Sequence, residues 1–138
     1  LYLTETNTFD LRPGTMLYVP VVYTDDSDPI LGDFPDPLDQ AAVADYYFNP
    51  KQLGVEYLQI VVDGKVTALG PGYAAGAYGP NQSDDAAWHR YTVVAAFLPP
   101  LSKGTHTVTI QGFLDGDAVR QYLPDGFEFE ATYTVNIR

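Results

Sequence analysis

Phe127-Glu-Phe-Glu-Ala-Thr-Tyr-Thr-Val-Asn-Ile137 decides the fold. Phe127, Phe129, Ala131, Tyr133, Val135 and Ile137 fall on one side of an extended chain, and Glu128, Glu130, Thr132, Thr134 and Asn136 on the other. Strict alternation over this length is what a strand needs when one face meets a core and the other meets water. A helix would scatter the same residues round its surface. Upstream, Thr105 to Gln111 is a second strand opened by the turn Ser102-Lys-Gly104, and Trp88 to Leu98 a third, closed by Pro99-Pro100.

Further towards the N-terminus the same grammar continues. Leu53 to Val62 and Lys65 to Leu69 flank Asp63-Gly64, a two-residue hairpin signal. Tyr73 to Pro80 lacks a pattern and is expected to be irregular, followed by a polar loop from Asn81 to Ala87. Met16 to Thr24 is a strand with Pro20 inside it. Pro20 has no N–H to give a ladder, so an edge position or a bulge is expected there. Residues 1–9 form a first extended, Thr-rich segment, ended by the turn Arg12-Pro-Gly14. Asp36-Pro37 reads as a helix cap and first helical position, with Leu38, Ala41, Ala42 and Tyr46 on one helical face and Asn49-Pro50 as the stop. The expected architecture is all-β: a single antiparallel β-sandwich over residues 1–138, immunoglobulin-like or jelly-roll-like, with seven or eight strands and one short helical insertion near 37–48.

Composition narrows the class. A chain of 138 residues, 46% apolar, builds one domain with a real core. Its 11 Tyr and 7 Phe suit pleated, half-buried surfaces, and 12 Gly with 11 Pro suit many turns. The net charge of -11 argues against nucleic acid or an anionic membrane as partner and makes cations natural ones. No apolar run reaches membrane-spanning length. With no Cys, thiol catalysis and Cys-ligated zinc are excluded. The chain opens on Leu1 with no charged and apolar leader, which reads as a mature or trimmed exported chain, secreted or at the cell surface.

The segment Leu98-Pro-Pro-Leu-Ser-Lys-Gly-Thr-His-Thr-Val-Thr-Ile110, with Phe127 to Val135 after it, resembles exported, largely uncharacterised bacterial immunoglobulin-like β-sandwich domains. In those, a turn of the form Pro-Leu-Ser-x-Gly-x-His-Thr links two strands and a terminal strand of the kind Phe-x-Phe-x-Ala-Thr-Tyr-x-Val follows. The resemblance covers roughly the last third of the chain. It implies export and a sandwich, and brings no catalytic residues with it.

Candidate chemistry is sparse. None of Ser27, Ser83 and Ser102 sits in a Gly-x-Ser-x-Gly elbow, and His106, directly after a turn, reads as structural. Glu128, Glu130 and Glu56 are the carboxylates a glycosidase would draw on, but a polar solvent face explains the first two. Seven carboxylates fall between Asp25 and Asp45, most of them in an acidic loop over residues 25–37, and Asp25, Asp26, Asp28 and Asp33 are the candidate ligands for Ca2+, which takes roughly six to eight oxygens. Trp88, Tyr73 and Tyr78 are candidate stacking rings for a carbohydrate, against the alternative that Trp88 anchors the core. Asn81, in Asn81-Gln-Ser83, is a candidate N-glycosylation acceptor. Leu1, Tyr2, Leu3 and Thr4 are candidate docking residues of a strand that pairs between subunits. The functional expectation is a non-enzymatic extracellular structural protein, a self-associating subunit of a fibre or surface assembly built by strand addition. The alternative is a secreted carbohydrate- or calcium-dependent binding or adhesion module.

Overall fold

The computed structural model describes residues 7–81 and 84–138. Eight strands lie in two sheets: β1 (Thr8–Leu11), β2 (Leu17–Asp25), β3 (Val55–Val62), β4 (Lys65–Ala68), β5 (Ala74–Asn81), β6 (Asp84–Leu98), β7 (Gly104–Leu114) and β8 (Phe127–Ile137). A five-stranded sheet has the order β1-β8-β7-β3-β4 and a three-stranded sheet the order β2-β6-β5. The chain is an all-β sandwich with a small helical insertion. Among the described residues no helix is long and apolar enough to cross a membrane.

The terminal strand sits where its alternation demands. Every residue of β8 has a partner on β7, from Phe127 opposite Leu114 to Ile137 opposite Gly104. Phe129, Ala131, Val135 and Ile137 are buried, and Glu128, Glu130 and Thr132 are exposed. Val108 and Ile110 of β7, Leu58 and Ile60 of β3, and Val94 and Ala96 of β6 complete the core between the sheets. Asp63 and Gly64 take φ of 49° and 83°, the left-handed pair that a type I′ hairpin needs. All pairings are antiparallel except one: β1 runs parallel to β8, with Thr8 opposite Thr134 and Leu11 opposite Ile137. Pro20 is accommodated as expected, since β2 is an edge strand and its register against β6 slips between Pro20 and Val22.

Three local expectations need correction. The stretch Tyr73–Pro80 is not irregular: Pro71–Tyr73 is one 3-10 turn, and β5 follows. Its small residues are there for space, because a Cβ at Gly76 would stand 2.6 Å from the Pro37 carbonyl oxygen. The polar run 81–87 is no plain loop either, because Asp84–Ala87 open the long strand β6, which places Trp88 within a strand rather than at its start. The helix α1 (Gln40–Phe48) is capped by Asp39, whose side chain accepts from the Ala42 N–H at 3.1 Å. Asp36 instead accepts from the Leu38 N–H at 3.0 Å and holds the turn before the helix. The helix therefore starts later than expected and buries Val43, Tyr46 and Tyr47, while Leu38 stays 72% exposed.

Candidate functional site

Three strands cannot cover five. β2 lies over β7 and β8, and among the described residues no strand of the smaller sheet lies beside it over β8 and β1. The outcome is an open groove along the free edge of β2. One half, a cavity of about 320 Å3, is walled by Leu17 and Val19 of β2 and by Phe9, Leu11, Tyr133 and Val135 of β1 and β8. The other half, about 460 Å3, runs past Val21 and Tyr23 to Phe127 and Phe129 and ends at Asp25, Asp28 and Leu31. Pro20, Ile110 and Tyr133 line both halves, so the two cavities are one groove, narrowed at the Pro20 bulge.

Each wall follows from strand parity. Phe9 and Leu11 are opposite Val135 and Ile137 and so share the inward face of the larger sheet. Phe9 nevertheless remains 43% exposed, with its ring centroid 6.0 Å from that of Tyr133. An inward aromatic residue left in water is what a missing neighbour produces. The far end of the groove is closed by Tyr46, whose hydroxyl donates to the Leu31 carbonyl at 2.6 Å; burial pushes its pKa up to about 12. The groove is apolar for most of its length. Its chemistry is that of a binding surface with a free strand edge, able to take main-chain hydrogen bonds and alternate side chains from an added strand.

The carboxylates of the acidic loop do not converge. Asp26 accepts from Arg90 Nε at 3.0 Å and pairs with His89 Nδ1 at 2.8 Å. Burial works against its charge, but the hydrogen bonds from Arg90 and His89 outweigh this and hold Asp26 below the usual carboxylate range. The Arg90 guanidinium also sits 4.9 Å above the Phe34 ring. Asp25 takes the Ser27 N–H at 3.0 Å and the Ser27 hydroxyl. Asp33 accepts from Gln52 Nε2 at 3.1 Å, and Asp28 lines the end of the groove. Among the described residues no group of three or more His, Asp or Glu side chains stands close enough to hold a metal ion.

The other candidates are spread out. Trp88 is no core anchor: it is 71% exposed, opposite Pro80. Tyr78 lies on the same side of that strand pair, opposite Arg90, whereas Tyr73 sits in the 3-10 turn at the other end of β5. Asn81 is the last residue of β5, and Gln82 and Ser83 of its tripeptide lie outside the described residues. Leu1, Tyr2, Leu3 and Thr4 also lie outside them. Glu130 accepts from Gln111 Nε2 at 3.0 Å. A hydrogen bond with Asp115 holds Glu56 above the usual carboxylate range. His106 bridges two turns, with Nδ1 2.6 Å from Asp63 Oδ2 and Nε2 2.7 Å from the Ser102 carbonyl.

Sequence reasoning missed the groove itself. Pro20 signalled an edge, but which faces the edge leaves open depends on strand order. No family model, no curated protein and no solved structure matches this chain.

Proposed function

We propose that this chain is a non-enzymatic structural subunit that assembles, outside the cell, by accepting a strand from a second copy into the groove beside β2. The observation that carries the reading is the groove: an apolar slot as long as a strand, with a free strand edge on one side and the inward rings of Phe9 and Tyr133 uncovered on the other. The donor is the segment Leu1–Thr6, which leads directly into β1, itself one wall of the groove. Six extended residues reach about 20 Å, enough to run along most of β2. Alternate side chains, Leu1 and Leu3 or Tyr2 and Thr4, fill the two halves of the slot, and main-chain bonds to β2 supply the rest of the hold.

A complementation experiment tests this. Deletion of residues 1–6 removes the donor, and Val19→Arg puts a charge into the groove and removes the acceptor. The intact chain should form concentration-dependent oligomers in analytical ultracentrifugation, each altered chain alone should stay monomeric, and an equimolar mixture of the two should stop at a dimer. A synthetic peptide of residues 1–8 should raise the melting temperature of the deleted chain. The competing arrangement continues the β1 register in the same molecule, which would set Leu1 opposite Phe127 and Leu3 opposite Phe129. An intact chain that stays monomeric at every concentration would establish that arrangement and end the strand-addition reading.

A further inference from the structure

The outward faces of the two sheets differ in character. On the larger sheet a run of outward polar side chains is bonded together, Gln59 to Gln111 to Glu130, Thr109 to Thr132, and Thr105 to Asn136 to Asp10, beside the apolar Tyr57, Val61, Val66 and Phe113. On the smaller sheet, alternation on β6 sends Thr92, Val94 and Ala96 inward and Tyr91, Val93, Ala95 and Phe97 outward. Register then places Tyr18 beside Phe97, Tyr23 beside Val93, and Ala75 and Ala77 beside Val93 and Tyr91. Between Tyr91 and Phe97 the one charged residue in this outward register is Asp25, opposite Tyr91, whose carboxylate takes the Ser27 N–H and hydroxyl, in a chain of net charge -11.

The face has a built shape. Tyr18 and Phe97 form a ring pair at one end, with centroids 5.0 Å apart and planes at 48°. Tyr91 marks the other end. Its hydroxyl donates to the Pro80 carbonyl at 3.0 Å, and its ring lies so close over Gly79 that a Cβ there would be 3.3 Å from Cε2. Between the ends is a trough of about 290 Å3, floored by Ala75, Ala77 and Val93 and flanked by Tyr18 and Tyr23. From Tyr91 to Phe97 is about 20 Å at a strand's rise of ~3.3 Å per residue.

We infer that this face binds a neutral polysaccharide chain along the strand direction. A pyranose ring presents one face of C–H groups, apolar and slightly positive, which stacks on the electron-rich face of a tyrosine or phenylalanine ring. Small residues in the trough let the chain lie close to the sheet, while the rings at the ends hold successive sugars. Charge selects the class: a face whose one charge is the Asp25 carboxylate, on an acidic protein, accepts a neutral polymer and repels a polyanion. A second copy is the alternative occupant, and the sedimentation of the variants below tells it apart.

Affinity electrophoresis in native gels tests the inference, with hydroxyethylcellulose, galactomannan or dextran in the gel and polygalacturonate as the acidic control. At least one neutral polymer should retard the protein, and polygalacturonate should not. Tyr91→Ala and Phe97→Ala should each weaken the retardation about tenfold, the loss of roughly 1.4 kcal/mol, whereas Phe97→Tyr should keep it. Phe97 is 68% exposed and neither residue lines the groove beside β2, so Phe97→Ala leaves folding and strand addition intact and its result is independent of them. Absence of retardation by all three polymers, or unchanged retardation in the double alanine variant, overturns the proposal. So does a double variant whose altered property is its sedimentation, which would make the face a contact between copies.

Discussion

Thr92 is the one polar side chain buried in the core among the described residues, and the bonds around it join three elements. Its hydroxyl lies 2.7 Å from the Thr24 hydroxyl on β2 and 3.0 Å from the Tyr47 hydroxyl on α1. Tyr47 is fully buried, and its hydroxyl lies 3.5 Å from that of Thr24, a distance at which little hydrogen bond remains. This geometry predicts unequal costs for two removals of the same bond. Tyr47→Phe deletes one hydroxyl and leaves Thr92 still bonded to Thr24, so it should cost about 1 kcal/mol. Thr92→Val keeps the shape but strands the Tyr47 hydroxyl in the core, and should cost about 1–3 kcal/mol. With both changes the stranded hydroxyl is gone, so the double variant should be no less stable than Thr92→Val alone, a clear failure of additivity. Urea unfolding followed by fluorescence, with unchanged slope, reads all three. A Tyr47→Phe cost above that of Thr92→Val, or strict additivity, would refute the assignment of the bonds.

Two further outcomes follow from the same side chains and turns. Phe129→Ala should cost about 3–5 kcal/mol in urea unfolding, because the ring is buried, stacked 5.5 Å from Phe127, and so close over Gly112 that a Cβ there would meet it at 2.6 Å; Glu128→Ala, on the exposed face, should cost well under half as much. The hydrogen bond to Asp63, aided by the Ser102 carbonyl, raises the His106 pKa above 6.5, so the stabilisation it contributes is fully present below 6.5 and lost as pH rises through the raised value. The same hydrogen bond lowers Asp63 below 3.8, so its contribution is present above 3.8 and lost as pH falls through the lowered value. Melting temperatures should therefore show the pair at its strongest between those limits, and His106→Gln should flatten the alkaline side of that profile; an unchanged profile would remove the pair from the account.

How much of this was legible depends on what each segment has on its two sides. β8 and β3 were legible because one face is buried and the other wet or shared, and Asp63-Gly64 because only a few dipeptides tolerate two positive φ angles. β5 was not, since its inward positions are small to admit Pro37 and the start of α1, and Ala and Gly carry no hydrophobic pattern. β1 has four residues and pairs with β8 across the whole chain, which no local signal encodes. The run Val93-Val-Ala-Ala-Phe-Leu98 gave a strand but hid its meaning. Its lack of alternation reflects two apolar faces, one in the core and one in water. The acidic loop shows the opposite case: closeness in sequence does not gather its carboxylates, and Asp25, Asp26 and Asp33 go to separate partners.

Edges explain why the groove beside β2 matters more than any other surface of the sandwich. A sheet edge is a template for another chain unless it is short, charged, broken or covered. β4 has four residues and begins with Lys65. β1 has four, and Asp10 pairs with Arg138 at 3.2 Å across its outer side. β5 is interrupted by Gly76, Gly79 and Pro80 and is flanked by α1 and the turn before it. β2 has nine residues, no charge before Asp25, and Pro20 as its one defect. It is also the edge that faces uncovered Phe9 and Tyr133. Three edges thus carry the devices that prevent pairing with another chain, and the fourth carries a ready-made apolar slot. A chain of net charge -11 repels its copies everywhere except where its surface is uncharged. The free edge of β2 and the groove under it combine a pairing template with a slot that is uncharged until Asp25 and Asp28 at its end, and this coincidence is what supports the proposed strand-accepting role.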